Sequence, residues 1–177
     1  KFSVQKTPAT DYNLYQSGKL DAAFLDAQAT KSLKGKTGYT QRKMSTTQYL
    51  SYNLKKHPEF KNKNLRLAIS MAINRNNICE KVLNGTGTPA SDFTSPLTPG
   101  YSDSLKGSDN LKYNASKAKE LWEKANAISP WTSDDKLTFA YNADGGHETI
   151  YTAVVNSINN TLGSEVAATN PYPTFND

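Results

Sequence analysis

The sequence has one cysteine, Cys79, three arginines (Arg42, Arg66 and Arg75) and two histidines, His57 and His147. A single thiol excludes an intrachain disulfide and any multi-cysteine zinc site. Cys79 lies in an apolar helical stretch, the usual place of an inert, packed thiol. Scarce arginine removes the planar fork that most often grips phosphates and guanine edges. The remaining positive charge is lysine spread along the chain, and its densest group (Lys55, Lys56, Lys61 and Lys63) encloses Glu59. The net charge of +5 therefore reads as a solvated basic surface, and no nucleic-acid partner is expected. No run approaches 18 apolar residues, so no segment reads as a membrane-spanning helix. Hydrophobic residues reach only 36%, yet 10% aromatics and clear apolar periodicity argue against disorder.

The residues of common catalytic sites are also missing. Neither histidine has a His, Cys, Asp or Glu at the i+4 spacing of a helical zinc pair, and adjacent His147 and Glu148 face different ways on a helix. There is no G-x-S-x-G elbow. Gly85-Thr86-Gly87-Thr88 lacks the third glycine of a dinucleotide fingerprint and the lysine of a P-loop, and it follows a helix. Asp134-Asp135 precedes a strand and reads as a solvated turn. No enzymatic activity, metal or cofactor is expected.

What remains is a chain of 177 residues, suited to one domain or a compact pair of subdomains. Alternating Phe2 and Val4 suggest a short strand. Thr10-Asp11 offers a cap for a helix through Leu14 and Tyr15, ended by Gly18. Asp21 to Leu25 reads as a buried strand, and Asp26 as the cap of a helix closed by Gly35. Tyr39 to Asn53 is strand-like, with Tyr49 and Ser51 on one face and Leu50 and Tyr52 on the other. From Asn64, Leu65, Ala68, Ile69 and Ala72 follow helical spacing. Asn74 or Asn76 caps a second helix, which Gly85 stops.

Residues 85–110 hold four glycines and three prolines and read as a long loop. Asn114 then caps a helix through Ala125. Leu137 to Tyr141 is a strand, Asn142 to Gly146 a turn, His147 to Leu162 a helix, and Val166 to Ala168 a last strand. Strands alternating with helices predict an α/β domain with a mainly parallel or mixed sheet. Both ends look cut, as in a piece of a longer protein. Ten tyrosines suit either the rim of a core or contacts to a polar ligand.

An ordered set of motifs runs through nearly the whole chain. Tyr15-Gln16-Ser17-Gly18-Lys19-Leu20-Asp21 resembles the "Y-x-S/A-G-E-x-D" segment of solute-binding proteins of peptide ABC importers, the family 5 extracellular solute-binding proteins. Tyr49 to Leu54, with Pro58 and Phe60, resembles that family's strand and "N-x-x-x-P-F" turn. Leu65 to Arg75 is similar to its "V-R-x-A-I-x-x-A-I-D-R" helix. Glu80 to Gly85, Gly87-Thr88-Pro89-Ala90, Pro96, Pro99-Gly100-Tyr101 and the helix from Asn114 continue the match. Asn74 departs from the family's usual Asp, and Leu54 from its Thr or Asn.

The resemblance implies a lobe of the periplasmic-binding-protein-like II fold, a mixed open sheet flanked by helices, within a two-lobed clamp. Residues 1–45 would form the edge of the first lobe and the hinge-crossing segment, and residues 46–177 most of the second. It stops short of the family's "A-D-Y-x-D-P" segment. The implied function is capture of oligopeptides for a membrane ABC permease, by a monomer held outside the cytoplasm, periplasmic or lipid-anchored. A peptide pheromone, a nickel complex, haem or an oligosaccharide is the alternative ligand within the fold, and a basic nucleic-acid-binding module is the more remote alternative. Four ligand-facing residues are implied: Tyr49 on the crossing strand, Asn142 and His147 in a "Y-N-x-x-x-x-H" turn, and Tyr172 in an aromatic segment with Thr174-Phe175. Core packing for the two tyrosines, and a turn role for Asn142 and His147, are the competing readings.

Overall fold

The computed structural model of the chain describes residues 2–5, 7–102, 104, 108–132, 135–163 and 165–176. Its core grows from three amphipathic helices: α3 (Lys63–Ala72), α5 (Ala115–Ile128) and α6 (Glu148–Leu162). Two shorter helices, α1 (Pro8–Gln16) and α2 (Ala27–Leu33), precede them, and the single-turn α4 (Arg75–Asn77) runs into a wider turn at Ile78–Val82. Strands β1 (Leu137–Asn142) and β2 (Ala167–Tyr172) pair in parallel and are connected through α6. Such a crossover places a helix on one face of the sheet.

The helix caps follow local chemistry. The Asn62 side chain accepts the Asn64 N–H at 3.0 Å and caps α3, which begins at Lys63, one residue before the expected start at Asn64. Asn114 accepts from the Lys117 N–H at 2.9 Å, Asp26 from Ala29 at 2.7 Å and Asn74 from Asn77 at 3.0 Å. Each satisfies an N–H that the first helical turn leaves without a partner. Asn74 thus caps with an amide side chain.

Helix α3 lies along α5, where Ala68 and Ala118 are fully buried; with no side chain beyond Cβ they let the two backbones approach closely. Ile69 and Ile158 are the largest fully buried side chains, each contributing on the order of 2 kcal/mol of apolar burial. Leu65, Leu121, Val154, Val155, Leu137 and Val166 complete the core. Ser157 of α6 ties the break after α3: it donates to the Ala72 carbonyl and accepts from the Asn74 N–H, both at 2.8 Å. The long loop returns to α3 through Arg75, which donates to Leu111 O at 2.8 Å and Ser70 O at 2.9 Å. The described residues of 85–110 otherwise contain turns and bends and the start of a short 3-10 turn, Asp109–Leu111.

Several expectations are corrected. Phe2 and Val4 are exposed, at 102% and 96%, and pair with no strand among the described residues. Helix α1 is capped by Thr7, which accepts from the Thr10 N–H, and not by Thr10-Asp11; Pro8 at its first turn fixes the start. The run at residues 21–25 is neither a strand nor buried, and Phe24 is 83% exposed. Residues 39–53 form no ladder. They keep the alternation, with Leu50 and Tyr52 against the core and Tyr49 outward. The last strand extends to Tyr172 across Pro171, which an edge strand tolerates because it needs no inward N–H there. Asp134 lies outside the described residues; Asp135 Oδ2 accepts from the N–H and the Oγ1 hydroxyl of Thr132, both at 2.9 Å.

Candidate ligand site

In parallel sheets, the carboxyl ends of the strands, where loops and helix N-termini gather, are the usual ligand edge. Here β1 ends on Asn142 and β2 on Tyr172, and the two are register partners. The chain leaves β1 through a tight turn at Ala143–Gly145 and Gly146, whose φ of +69° is a left-handed geometry suited to glycine. It then enters α6 at His147. No side chain caps the start of α6, so its first N–H groups stay open to an acceptor from outside the helix.

Aromatic rings back this edge. Buried Tyr141 stacks on Tyr151 with centroids 4.7 Å apart and planes within 9°. His147 meets Tyr151 edge-on at 6.5 Å, one helical turn away. The Asn142 amide donates to Asp144 Oδ1 at 2.6 Å, which aims the side chain. Tyr172 is 41% exposed, and its hydroxyl accepts from Asn170 at 3.4 Å. Phe175, beyond the strand, is exposed.

Three of the four residues singled out in the sequence, Asn142, His147 and Tyr172, thus share one end of the sheet. Tyr49 is not joined to them by any contact among the described residues. It is largely exposed and packs on Phe93 of the long loop at 5.1 Å. Tyr151 and Asp144 were missed. The i+4 spacing of Tyr151 from His147 on a helix was the available signal.

At the opposite end, a cavity of about 260 Å³ lies between the start of α3, the end of α5 and the segment before β1. Glu59, Asn62, Leu65, Ala125, Trp131 and Asp135 are among its lining. Trp131 packs on Trp122 at 5.3 Å, and its buried Nε1 has no hydrogen-bond partner among the described residues. Among the described residues no group of three or more His, Cys, Asp or Glu side chains is placed to hold a metal, and no helix is long and apolar enough to cross a membrane. Burial, then neighbouring Glu80, pushes the Cys79 thiol up, away from the reactive thiolate.

Comparison with known proteins gives the same family as the motifs. The family model "Bacterial extracellular solute-binding proteins, family 5 Middle" matches residues 1–176. Dipeptide-binding protein DppE of Bacillus subtilis is 30% identical over 173 residues, which are 96% of this chain and 32% of DppE. The periplasmic oligopeptide-binding protein OppA of Salmonella typhimurium is 30% identical over 175 residues, 95% of this chain and 32% of OppA. The crystal structure of a periplasmic oligopeptide-binding protein, OppAIV of Borrelia burgdorferi, superposes with a TM-score of 0.80 at 28% identity, covering 97% of this chain and 33% of that one. The pheromone receptor PrgZ shares the fold, with a TM-score of 0.78 at 23% identity and coverage of 95% and 34%. The chain spans about a third of the length of these relatives. It belongs to the bacterial extracellular solute-binding proteins of family 5.

Proposed function

We propose that this chain is part of the substrate-binding component of an ABC importer, capturing oligopeptides outside the cytoplasm and delivering them to a membrane permease. The observation that carries this reading is the pairing of Asn142 with Tyr172 at the carboxyl ends of two parallel strands, with His147 five residues after Asn142 at the uncapped start of α6. This edge has what a peptide needs. Asn142 offers an amide to main-chain groups, Tyr172 offers ring area and a hydroxyl, and the helix start with His147 favours a carboxylate. None of these contacts requires a particular ligand side chain, so peptides of varied sequence would be held by their shared backbone. Binding makes and breaks no covalent bond.

In this reading residues 1–45 belong to the edge of the first lobe and residues 46–177 to most of the second. Tyr49 lines the cleft from the crossing segment, and the protein acts as a monomer without nucleic acid, periplasmic or lipid-anchored. Likeness to PrgZ favours a peptide pheromone as the second reading.

Calorimetry on the full-length protein with a mixed oligopeptide library tests the assignment. Heat of binding from peptides is expected, with the affinity weakened by Tyr172→Ala. Silence towards peptides together with binding of a sugar, haem or a nickel chelate would reject it. Strong preference for one peptide over its scrambled versions would favour the pheromone reading.

A further inference from the structure

The net charge of +5 is not spread evenly. Between Asp26 and Glu59 the chain carries seven Lys and Arg residues and no acid. The rest therefore holds 14 basic against 16 acidic residues, so the whole positive excess belongs to this stretch. Five of the seven, Lys31, Lys34, Lys36, Arg42 and Lys43, fall within 13 residues, and all five are exposed. None forms an ion pair with a carboxylate among the described residues, whereas Lys112, Lys117, Lys124 and Lys136 each do.

The fold gathers this stretch into a patch. Lys36 N–H donates to Leu33 O at 2.9 Å and Tyr39 N–H to Lys36 O at 3.1 Å, so the chain bends back after α2. Both arms of the bend meet one turn: Lys34 Nζ lies 3.5 Å from Asn84 O, and Gln41 Nε2 donates to Gly85 O at 3.1 Å. Asn84 Nδ2 reaches the start of α2 at Ala27 O, 2.7 Å away. Met44, 72% exposed, directly follows Arg42 and Lys43.

We propose that this patch is a docking surface for a membrane bearing anionic lipid headgroups. Four of its five cations are lysines, strongly hydrated point charges suited to a diffuse negative surface more than to the fixed geometry of a folded partner. Clustered basic residues next to an exposed apolar side chain are the combination that such a surface attracts: the charges supply attraction and the side chain shallow insertion. The position of Lys31 and Lys34 at the carboxyl end of α2 also favours that helix, but this leaves Lys36, Arg42 and Lys43 without a structural role. The inference goes beyond peptide capture and does not depend on it.

The test is sedimentation of the full-length chain with vesicles of equimolar phosphatidylglycerol and phosphatidylcholine, against pure phosphatidylcholine. Binding to the anionic vesicles alone is expected, with release at about 0.5 M NaCl, where screening shortens to a few ångströms. Changing Lys31, Lys34, Lys36, Arg42 and Lys43 to Gln should weaken partitioning at least tenfold, roughly what losing several membrane-facing cations implies. Changing Lys112, Lys117, Lys119, Lys124 and Lys136 to Gln removes the same charge elsewhere and should weaken it far less. Equal loss in both variants, equal binding to neutral vesicles, or no binding would overturn the proposal. Peptide calorimetry on the same samples reports the capture function separately.

Discussion

Asn159 of α6 holds both main-chain polar groups of Ala167, accepting its N–H at 2.8 Å and donating to its carbonyl at 3.0 Å. These are the groups of β2 that face away from β1, so a helix side chain stands in for a further strand. An unsatisfied, partly buried N–H or C=O costs about 1–3 kcal/mol, and this contact meets two of them at the start of β2.

Asn159→Leu should therefore destabilise the chain by roughly 2–3 kcal/mol, and Asn159→Asp by a similar amount, since a carboxylate accepts from the N–H but repels the carbonyl. Urea unfolding checks this. A loss below a few tenths of a kcal/mol in both variants would show that β2 is held by β1 alone.

Tyr52 predicts a pH dependence. Its hydroxyl donates to Arg66 O at 3.3 Å, and burial, partly offset by Arg66 and Arg75, pushes its pKa up to about 12. The folded pKa lies above the unfolded value near 10, so the folded state binds the proton more tightly. The contribution is fully present below about pH 10 and is lost as pH rises towards 12. Stability measured across that window should fall on the order of 2 kcal/mol more for the parent chain than for Tyr52→Phe. Parallel curves would refute the assignment.

The Asn84–Gly85 turn separates backbone from side-chain effects. Both residues have positive φ, +51° and +75°, and the Asn84 amide reaches Ala27 O. Asn84→Gly keeps the conformation and loses the contact, so it should cost about 1 kcal/mol. Asn84→Ala loses the contact and also strains the left-handed backbone, so it should cost about 1 kcal/mol more. If the two variants unfold at the same denaturant concentration, the backbone contribution is absent.

For the site, His147→Ala, Asn142→Ala and Tyr172→Ala should each weaken peptide binding by the full-length protein about fivefold to thirtyfold, as expected for one polar or aromatic contact. The circular dichroism spectrum should not change, because Tyr172 is exposed and the other two are half-buried. Tyr49→Ala is the comparison: unaltered affinity there would place Tyr49 outside the cleft.

The sequence was most legible where structure is local. Helices α3, α5 and α6 could be read from apolar residues three and four apart, and α5 also from its Asn114 cap, because a helix closes its hydrogen bonds within itself. Strands do not. Phe2 to Val4, Asp21 to Leu25 and Tyr39 to Asn53 have strand-like composition, but a strand exists only when another segment supplies the facing ladder. Among the described residues these three find none. β1 and β2 succeed because α6 returns the chain alongside itself. The candidate site residues were all named through family likeness: Asn142 and His147 lie on one short turn, whereas the pairing of Asn142 with Tyr172 spans thirty residues and no local pattern announces it. The Tyr49–Phe93 contact depends on the path of an irregular loop, and no local pattern announces it.

Helix α6 begins at His147, clasps the end of α3 through Ser157 and anchors β2 through Asn159. A guest touching its first turn would meet a part already immobilised by the rest of the body. In the proposed cleft, arrival there would freeze little additional motion, and differences in grip between one guest and another would arise at Tyr49, which packs on Phe93 and rides on a segment without regular structure.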